Sequence, residues 1–397
     1  MSEAAGALDL LVGDAGRFAK EHWGIRPLHR RAAGDFGGLL GLGDVDHLVT
    51  ESLLRTPGMR LVRDGSPIPA STFTRTIRVG AARVDGVARP EAVLREFADG
   101  ATIVLQALHR QWGPVARLCR DLELDLTHPV QANAYITPAT SQGFAVHHDT
   151  HDVFVIQTNG TKRWRVYEPL VELAGKEQRW SGDLGDPGEP MLQADLAPGD
   201  VLYIPRGFPH DAVAQRDVSV HVTVGVLTKT WLDVWRHVMG AAPEHPPFRE
   251  ALPVGFARDP AALGAEIAAR VGEVREWLES TSTPEVAEAL ARGFWEGRRP
   301  VLGGQLVQIA ALERTDAASR FRRRPGVFEV RAEGEEAVAS LGNRELRMPA
   351  FAAPALERVA GTREPLRAAD LPGLDEPSAL VLLRRLVREG AAEIAPD

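Results

Sequence analysis

The hydrophobic pattern of this chain changes its period along the sequence. Residues 7–20 place Leu8, Leu10, Leu11 and Phe18 where one helical face could use them, and residues 91–98 read as a second helix. Residues 103–124 read as a third, carrying Leu105, Leu108, Val115, Leu118 and Leu122. From Val130 the period becomes two: Val130, Ala132, Ala134 and Ile136 alternate with Gln131, Asn133, Tyr135 and Thr137, predicting a strand with one apolar and one polar face. Strand-like runs at 153–157 and 162–167 flank Asn159-Gly160, a strong short-range hairpin signal, so a hairpin is expected there. Pro198-Gly199 launches a strand over 200–205. Val218, Val220, Val222 and Val224 then alternate with Ser219, His221 and Thr223. That polar face lacks the charges of a water-facing strand and predicts a wall of a polar cavity. Antiparallel strands in this sequence predict a barrel or jelly roll.

Beyond residue 228 the pattern is helical. Asp259-Pro260 and Thr283-Pro284 have the residues of helix starts. Leu263, Ile267, Val271, Val274 and Leu278 form one stripe, which suits an intramolecular core or, alternatively, a dimer interface; Trp231 and Trp235 lie on an earlier helix. From 301 onward short helices and strands mix. Asp375-Glu376-Pro377 opens a helix with Leu380, Leu383, Leu386 and Val387, Gly390 ends it, and Ala392-Glu393-Ile394 follows as a wing strand, the outline of a winged helix. Arg384, Arg385 and Arg388, like the run Arg320–Arg324, read as solvated surface rather than as DNA-facing rows. The expected organisation is a catalytic part at 1–228, a helical part at 229–300 and a winged-helix-like part at 301–397.

Composition narrows the function classes. A chain of 397 residues exceeds one ordinary core. Lys+Arg 46 against Asp+Glu 54 gives a net charge of -8, without the broad basic footprint of a nucleic-acid binder, so no nucleic-acid partner is expected. A single cysteine, Cys119, excludes an internal disulfide framework and a Cys-rich zinc site. Neither a signal peptide nor a membrane span is read in the sequence, and a cytoplasmic home without a membrane partner is expected.

The segment Gly143-Phe-Ala-Val-His-His-Asp-Thr-His-Asp152 concentrates the candidate chemistry. In extended backbone His147 and Asp149 point the same way and His148 the other. His-x-Asp plus one distant histidine is the facial triad of non-haem iron(II) oxygenases, which leaves three positions for an oxoacid and dioxygen. The distant histidine is expected at His210, where Pro205 and Gly207 bend the chain after the 200–205 strand; His221 is the runner-up. A 2-oxoglutarate site also needs a cation for the distal carboxylate. Lys162, which shares a strand face with Trp164 and Val166, is the candidate, and Asn133, Tyr135, His221 and Thr223 are further candidates on the polar faces. His109, His148, His151 and His237 lack such context and read as solvent-facing, outer or core histidines.

At these residues the chain resembles the JmjC-type cupin oxygenases known as ribosomal oxygenases. The resemblance is carried by Gln131-Ala-Asn-Ala-Tyr-Ile-Thr-Pro138, Ser141-Gln-Gly-Phe144, His147-His-Asp149, Asp152-Val-Phe-Val-Ile-Gln157, Gly160-Thr-Lys-Arg-Trp-Arg-Val166 and Pro205-Arg-Gly-Phe-Pro-His210, and is dense from about 100 to 225. It implies an α+β fold: a double-stranded β-helix, then a helical dimerisation region and a winged-helix-like domain. It also implies Fe(II) held by His147, Asp149 and His210, 2-oxoglutarate held by Lys162, dioxygen as oxidant, a homodimer, and a protein or peptide substrate such as a ribosomal protein, hydroxylated at arginine or histidine. Alternative readings are a hydroxylase of a small molecule or biosynthetic peptide, a demethylase, and a non-catalytic cupin sensor or regulator.

Overall fold

The run Val153–Ile156 is apolar at four successive positions, and such a strand needs cover on both faces. It finds that cover at the middle of a jelly roll, described here in a computed structural model that covers residues 6–181 and 184–396. Along the chain the strands are β1 (Leu28–Arg30), β2 (Met59–Arg63), β3 (Ser66–Pro67), β4 (Thr74–Val79), β5 (Ala82–Ala88), β6 (Thr102–Leu105), β7 (Val130–Thr137), β8 (Asp152–Asn159), β9 (Lys162–Val166), β10 (Leu192–Leu196), β11 (Val201–Ile204), β12 (His210–Ala214) and β13 (Ser219–Val226). Eight of them form one antiparallel sheet in the order β1-β11-β8-β13-β7-β6-β2-β3. A second sheet runs β10-β9-β12, and β4 and β5 pair separately.

The two faces of β8 feed two cores. Phe154 and Ile156 pack with Phe18, Leu11, Leu40 and the valines of β13. Val153 and Val155 pack with Trp164, Val166, Leu202 and Phe208 in a smaller core. Burial of this kind contributes about 25 cal/mol per Å² of apolar surface, which explains why the sheet centre is nearly all Val, Ile, Leu and Phe. The alternation in β7 and β13 is also met. Ala132, Ala134 and Ile136 join the larger core, and Tyr135, His221 and Thr223 line a cavity.

Three local expectations are corrected. Asn159-Gly160 does not close a hairpin: β8 pairs with β11 and β13, whereas β9 pairs with β10 and β12 in the other sheet. Both edges of β8 are already taken, so the chain must cross over. Gly160 makes that crossing at φ +61 against the start of β13, where a Cβ would lie 2.2 Å from the Val218 carbonyl oxygen. Residues 102–105 are a strand, buried at every position between β2 and β7, because the β-branched run Thr-Ile-Val fits a sheet covered on both faces. The helix begins only at Gly113, with Pro114 in its first turn. The expected helix over 7–20 is two, Ala7–Val12 and Ala15–Glu21; Gly13 ends the first at φ 91, and the Asp14 side chain caps the second at the Arg17 amide.

The chain divides into two compact units, Met1–Thr228 with Pro300–Leu341 and Glu345–Asp397, and Lys229–Arg299 with Gly342–Arg344. Toward the C-terminus of the first unit, helix Glu376–Arg388 is capped by Asp375 and buries Leu382, Leu383 and Leu386. The strand Ala392–Ile394 pairs with Phe321–Arg323. Two basic residues expected in solvent are internal donors instead. Arg384 donates to the carbonyl and hydroxyl of Thr315, and the buried Arg324 donates to the carbonyls of Val301 and Gly303, both at 3.0 Å. Orphan carbonyls at chain turns attract guanidinium donors, which sequence periodicity does not register. In the second unit, Asp259 caps helix Pro260–Ser280 through the Ala262 amide. That helix fully buries no residue: Ile267 and Val271 of its stripe stand 56% and 60% exposed, whereas Leu263, Val274 and Leu278 are half-buried. No helix among the described residues is long and apolar enough to cross a membrane.

Candidate active site

The two segments that carry the candidate ligands hold each other by backbone. His147 and His210 form an isolated antiparallel bridge, with His210 N donating to the His147 carbonyl at 2.8 Å and His147 N donating back at 3.2 Å. The Gly207 amide donates to the Asp149 carbonyl at 2.9 Å. Gly207 sits at φ +86 with a would-be Cβ 2.1 Å from the Val171 carbonyl oxygen, so the bend needs glycine on both counts. His210 lies at the first position of β12, opposite Val166 of β9, and so stands on the smaller sheet rather than at the end of the strand preceding it. The loop before His147 is anchored as well: Gly65 N reaches the Gly143 carbonyl at 3.1 Å and Ala214 N reaches the Ser141 carbonyl at 3.0 Å.

One ligand atom from each of His147, Asp149 and His210 lies within 4.8 Å of the others. His147 Nδ1 faces the Ala145 carbonyl at 2.8 Å and His210 Nδ1 faces the Phe208 carbonyl at 3.0 Å. A carbonyl only accepts, so each Nδ1 carries the proton and each Nε2 keeps its lone pair for a metal. Burial pushes His210 down to about 4, helped by the neighbouring His147, so its ring is neutral at ordinary pH. Burial pushes the Asp149 carboxyl up, but the surrounding rings of His151, His210, His147 and His148, when protonated at acid pH, outweigh it and hold the group below its ordinary value. Two neutral imidazoles and one carboxylate on a single side of a cavity fit a divalent ion with open positions.

The cavity has a volume of about 210 Å³ and reaches from this triad to Lys162. Lys162 is 4% exposed, and burial lowers its amine to about 7. Nζ donates to Thr137 Oγ1 at 3.0 Å and lies 6.0 Å from the Trp164 ring centre; among the described residues no carboxylate pairs with it. A buried amine so placed is suited to an anion that enters the cavity. His221 stacks on Tyr135 at 5.0 Å, and burial, then the charge of Lys162, drives it well below the ordinary histidine value. Its position does not bring it into the triad cluster. Tyr135 and Thr223 line the cavity; burial pushes the phenol up to about 12. Asn133 is not among the lining residues, and its side-chain oxygen accepts from the Ala107 amide at 3.0 Å.

His148, His109 and His151 have other surroundings. His148 is buried with Nε2 at 2.8 Å from the Gln178 carbonyl, and His109 Nδ1 accepts from the Ala132 amide at 3.0 Å. The His151 ring packs on Gly225, where a Cβ would lie 2.4 Å away. Sequence reasoning missed Arg60 and Phe144, which also line the cavity. Arg60 arrives on β2, far upstream, and its place follows from the ladder Arg60↔Val104↔Tyr135↔His221 across four strands. No local signal announces it.

Residues 107–234, spanning β7 to β13 and both ligand segments, match the JmjC domain family. That segment, about a third of the chain, is similar to a JmjC domain. Among curated relatives, the bifunctional lysine-specific demethylase and histidyl-hydroxylase NO66 of Dictyostelium discoideum is 36% identical over 200 residues, covering 48% of this chain and 38% of that protein. Ribosomal oxygenase 1 of Homo sapiens is 44% identical over 136 residues, covering 32% of this chain and 21% of that one. The matched part thus spans well under half the length of these relatives. Among solved structures, YcfD, a ribosomal oxygenase from Escherichia coli in complex with cobalt and 2-oxoglutarate, superposes with a TM-score of 0.54 at 21% identity, covering 96% of this chain and 98% of that one. That likeness is one of fold: a JmjC/cupin jelly roll within an α+β chain.

Proposed function

We propose that the chain is an Fe(II)- and 2-oxoglutarate-dependent oxygenase that hydroxylates an amino-acid side chain of a protein or peptide in the cytoplasm. The observation that carries this reading is a triad of His147, Asp149 and His210 sharing one cavity with a buried, carboxylate-free Lys162. The curated relatives, named as ribosomal oxygenases and a histidyl-hydroxylase, support a protein substrate. When bound, the iron would supply the centre at which dioxygen is split between 2-oxoglutarate, which loses carbon dioxide and becomes succinate, and a substrate C–H bond, which becomes C–OH. His147 and His210 present Nε2 in a fixed tautomer, Asp149 supplies the anionic ligand, and Lys162 holds the distal carboxylate. Trp164, Val153 and Val155 keep that end of the cavity dry.

The test is succinate formation from 2-oxoglutarate by iron-loaded protein, with and without ribosomal proteins, read together with a mass gain of one oxygen on the protein fraction. Turnover that a protein fraction stimulates supports the reading; metal-loaded protein that fails to bind 2-oxoglutarate would sink it. Lys162→Met separates binding from folding. It should weaken 2-oxoglutarate binding by about a hundredfold, the loss of a desolvated charge-assisted pair, and stabilise the apoprotein, because an unpaired buried charge is removed. The pH dependence has a definite sign. With the free amine near 7, the ammonium is already present at about pH 6, whereas at about pH 8 binding of the carboxylate must take up a proton. Wild-type affinity therefore falls as pH rises through about 7, and calorimetry in buffers of different ionisation heat should register proton uptake only on the alkaline side. The stability gain of the methionine variant is largest below that pH and shrinks as pH rises toward the free-lysine value.

The same reading includes a dimerisation role for the helical part at 229–300 and a winged-helix-like part at 301–397. The exposed stripe of Ile267 and Val271 supports the first. A homodimer in sedimentation should become a monomer in Ile267→Glu/Val271→Glu, whereas a monomeric wild type refutes this role.

A further inference from the structure

The cavity holds a second cation. Arg60 projects from β2 into it, with its guanidinium carbon 5.2 Å from the Phe144 ring centre. Phe144 in turn packs on Tyr135 and on the ligand histidine His147, each at 5.7 Å. Arg60 and Asn133 lie against the Tyr135 phenol and favour its ionised form, while Asp149 opposes it, so Arg60 and Asp149 both act on this hydroxyl. Arg60 Nε is buried with no hydrogen-bond partner, and no ion pair joins Arg60 to a carboxylate among the described residues. The other cavity-lining acid, Asp211, already has a bidentate partner in Arg165.

On the oxygenase reading, on which this inference rests, every other charge in the loaded site is answered. A divalent ion is balanced by Asp149 and by the carboxylate that chelates it. The distal carboxylate is balanced by Lys162. Arg60 alone is left without a counter-charge, its guanidinium meeting only the neutral Tyr135 phenol and the Phe144 ring, and a half-buried guanidinium in that state attracts an anion strongly. We propose that Arg60 is a substrate-binding residue that takes a carboxylate of the substrate over Tyr135 and Phe144, and thereby selects acidic segments and turns away guanidinium and methylammonium side chains. The planar guanidinium offers two parallel donors to a carboxylate, so the contact also fixes the orientation of the segment beside the triad.

The test uses Co(II)-loaded full-length protein, with and without saturating 2-oxoglutarate, titrated calorimetrically with the N-acetyl N-methylamides of glutamate, glutamine and arginine. Wild type should bind the glutamate derivative about tenfold or more tighter than its neutral glutamine isostere, and the arginine derivative most weakly, as a desolvated charge-assisted pair requires. Arg60→Gln should erase the glutamate-over-glutamine preference and leave 2-oxoglutarate affinity within about twofold, whereas Arg60→Lys should retain part of the preference without the bidentate geometry. No acid preference in wild type, or a preference that survives Arg60→Gln, overturns the proposal. So does a variant whose loss falls on 2-oxoglutarate instead, since Arg60 would then belong to the cosubstrate. Failure of wild type to bind 2-oxoglutarate counts against the oxygenase reading itself, and the titrations on the Co(II) protein alone still decide the role of Arg60.

Discussion

Asp149→Ala is expected to lower affinity for Fe(II) or Co(II) by more than about a thousandfold, since loss of a partner one shell further out already costs 10–100-fold in typical metal sites. The carboxylate supplies the only negative charge in the triad. Without it the two imidazoles must hold a divalent ion with nothing to offset its charge. Succinate formation should vanish with the metal, and 2-oxoglutarate should lose its chelate anchor and keep only Lys162. The fold should survive. Among the described residues the Asp149 side chain has one polar contact, 3.9 Å to His210 Nε2, while its backbone carbonyl remains held by Gly207. Anaerobic metal titration beside a thermal melt separates the two effects: an unchanged melting curve with no measurable metal binding is the expected pair. Metal affinity within tenfold of wild type would remove Asp149 from the ligand set.

Three residues further on, Asp152→Ala should do the reverse and strike the fold before the chemistry. Asp152 is fully buried at the start of β8. Its Oδ1 accepts from Tyr203 Oη at 2.9 Å and from Arg206 N at 3.3 Å, and its Oδ2 accepts from Arg206 Nη1 at 3.0 Å and Thr228 Oγ1 at 2.5 Å. Tyr203 is itself locked in the aromatic cluster of Phe18, Trp23 and Phe154. Alanine leaves the largely buried Arg206 guanidinium unpaired, a change that costs about 3–5 kcal/mol in comparable buried pairs. That is a large share of the about 5–15 kcal/mol that stabilises a typical domain. Urea denaturation should show the midpoint falling at unchanged slope, and a midpoint equal to wild type would mean that the network is not structural. Arg206 precedes Gly207, so partial loosening should also weaken metal binding, by less than in Asp149→Ala.

The ligand segments were legible in the sequence because both their residue types and their spacing are set by chemistry. A His-x-Asp pair and a Pro-Arg-Gly-x-x-His bend need no tertiary information to be noticed, and β13 declares its cavity face by pairing valines with uncharged polar residues. Lys162 was legible for the same reason, lying on one strand face with Trp164 and Val166. Periodicity was a poorer guide where two faces are both buried. Residues 103–105 read as the start of a helix because an apolar run carries no period of its own, and only their place between β2 and β7 makes them part of a strand.

What the sequence by itself determined is the local grammar: which residues alternate, where the chain bends, and which side chains are candidates to bind a metal, with His210 and His221 both open as the third. Tertiary structure decided the connections. Asn159-Gly160 is a good hairpin turn by local preference, yet both edges of β8 were taken, so the chain crosses to the other sheet and carries Lys162 to the opposite wall of the cavity. Arg60 enters the cavity only because β2 joins the sheet two strands from β7, a long-range pairing that leaves no local trace. Local preference is set by a residue and its near neighbours, whereas strand order is set by which edges remain unpaired when the whole sheet has formed, and that is a property of the assembled fold.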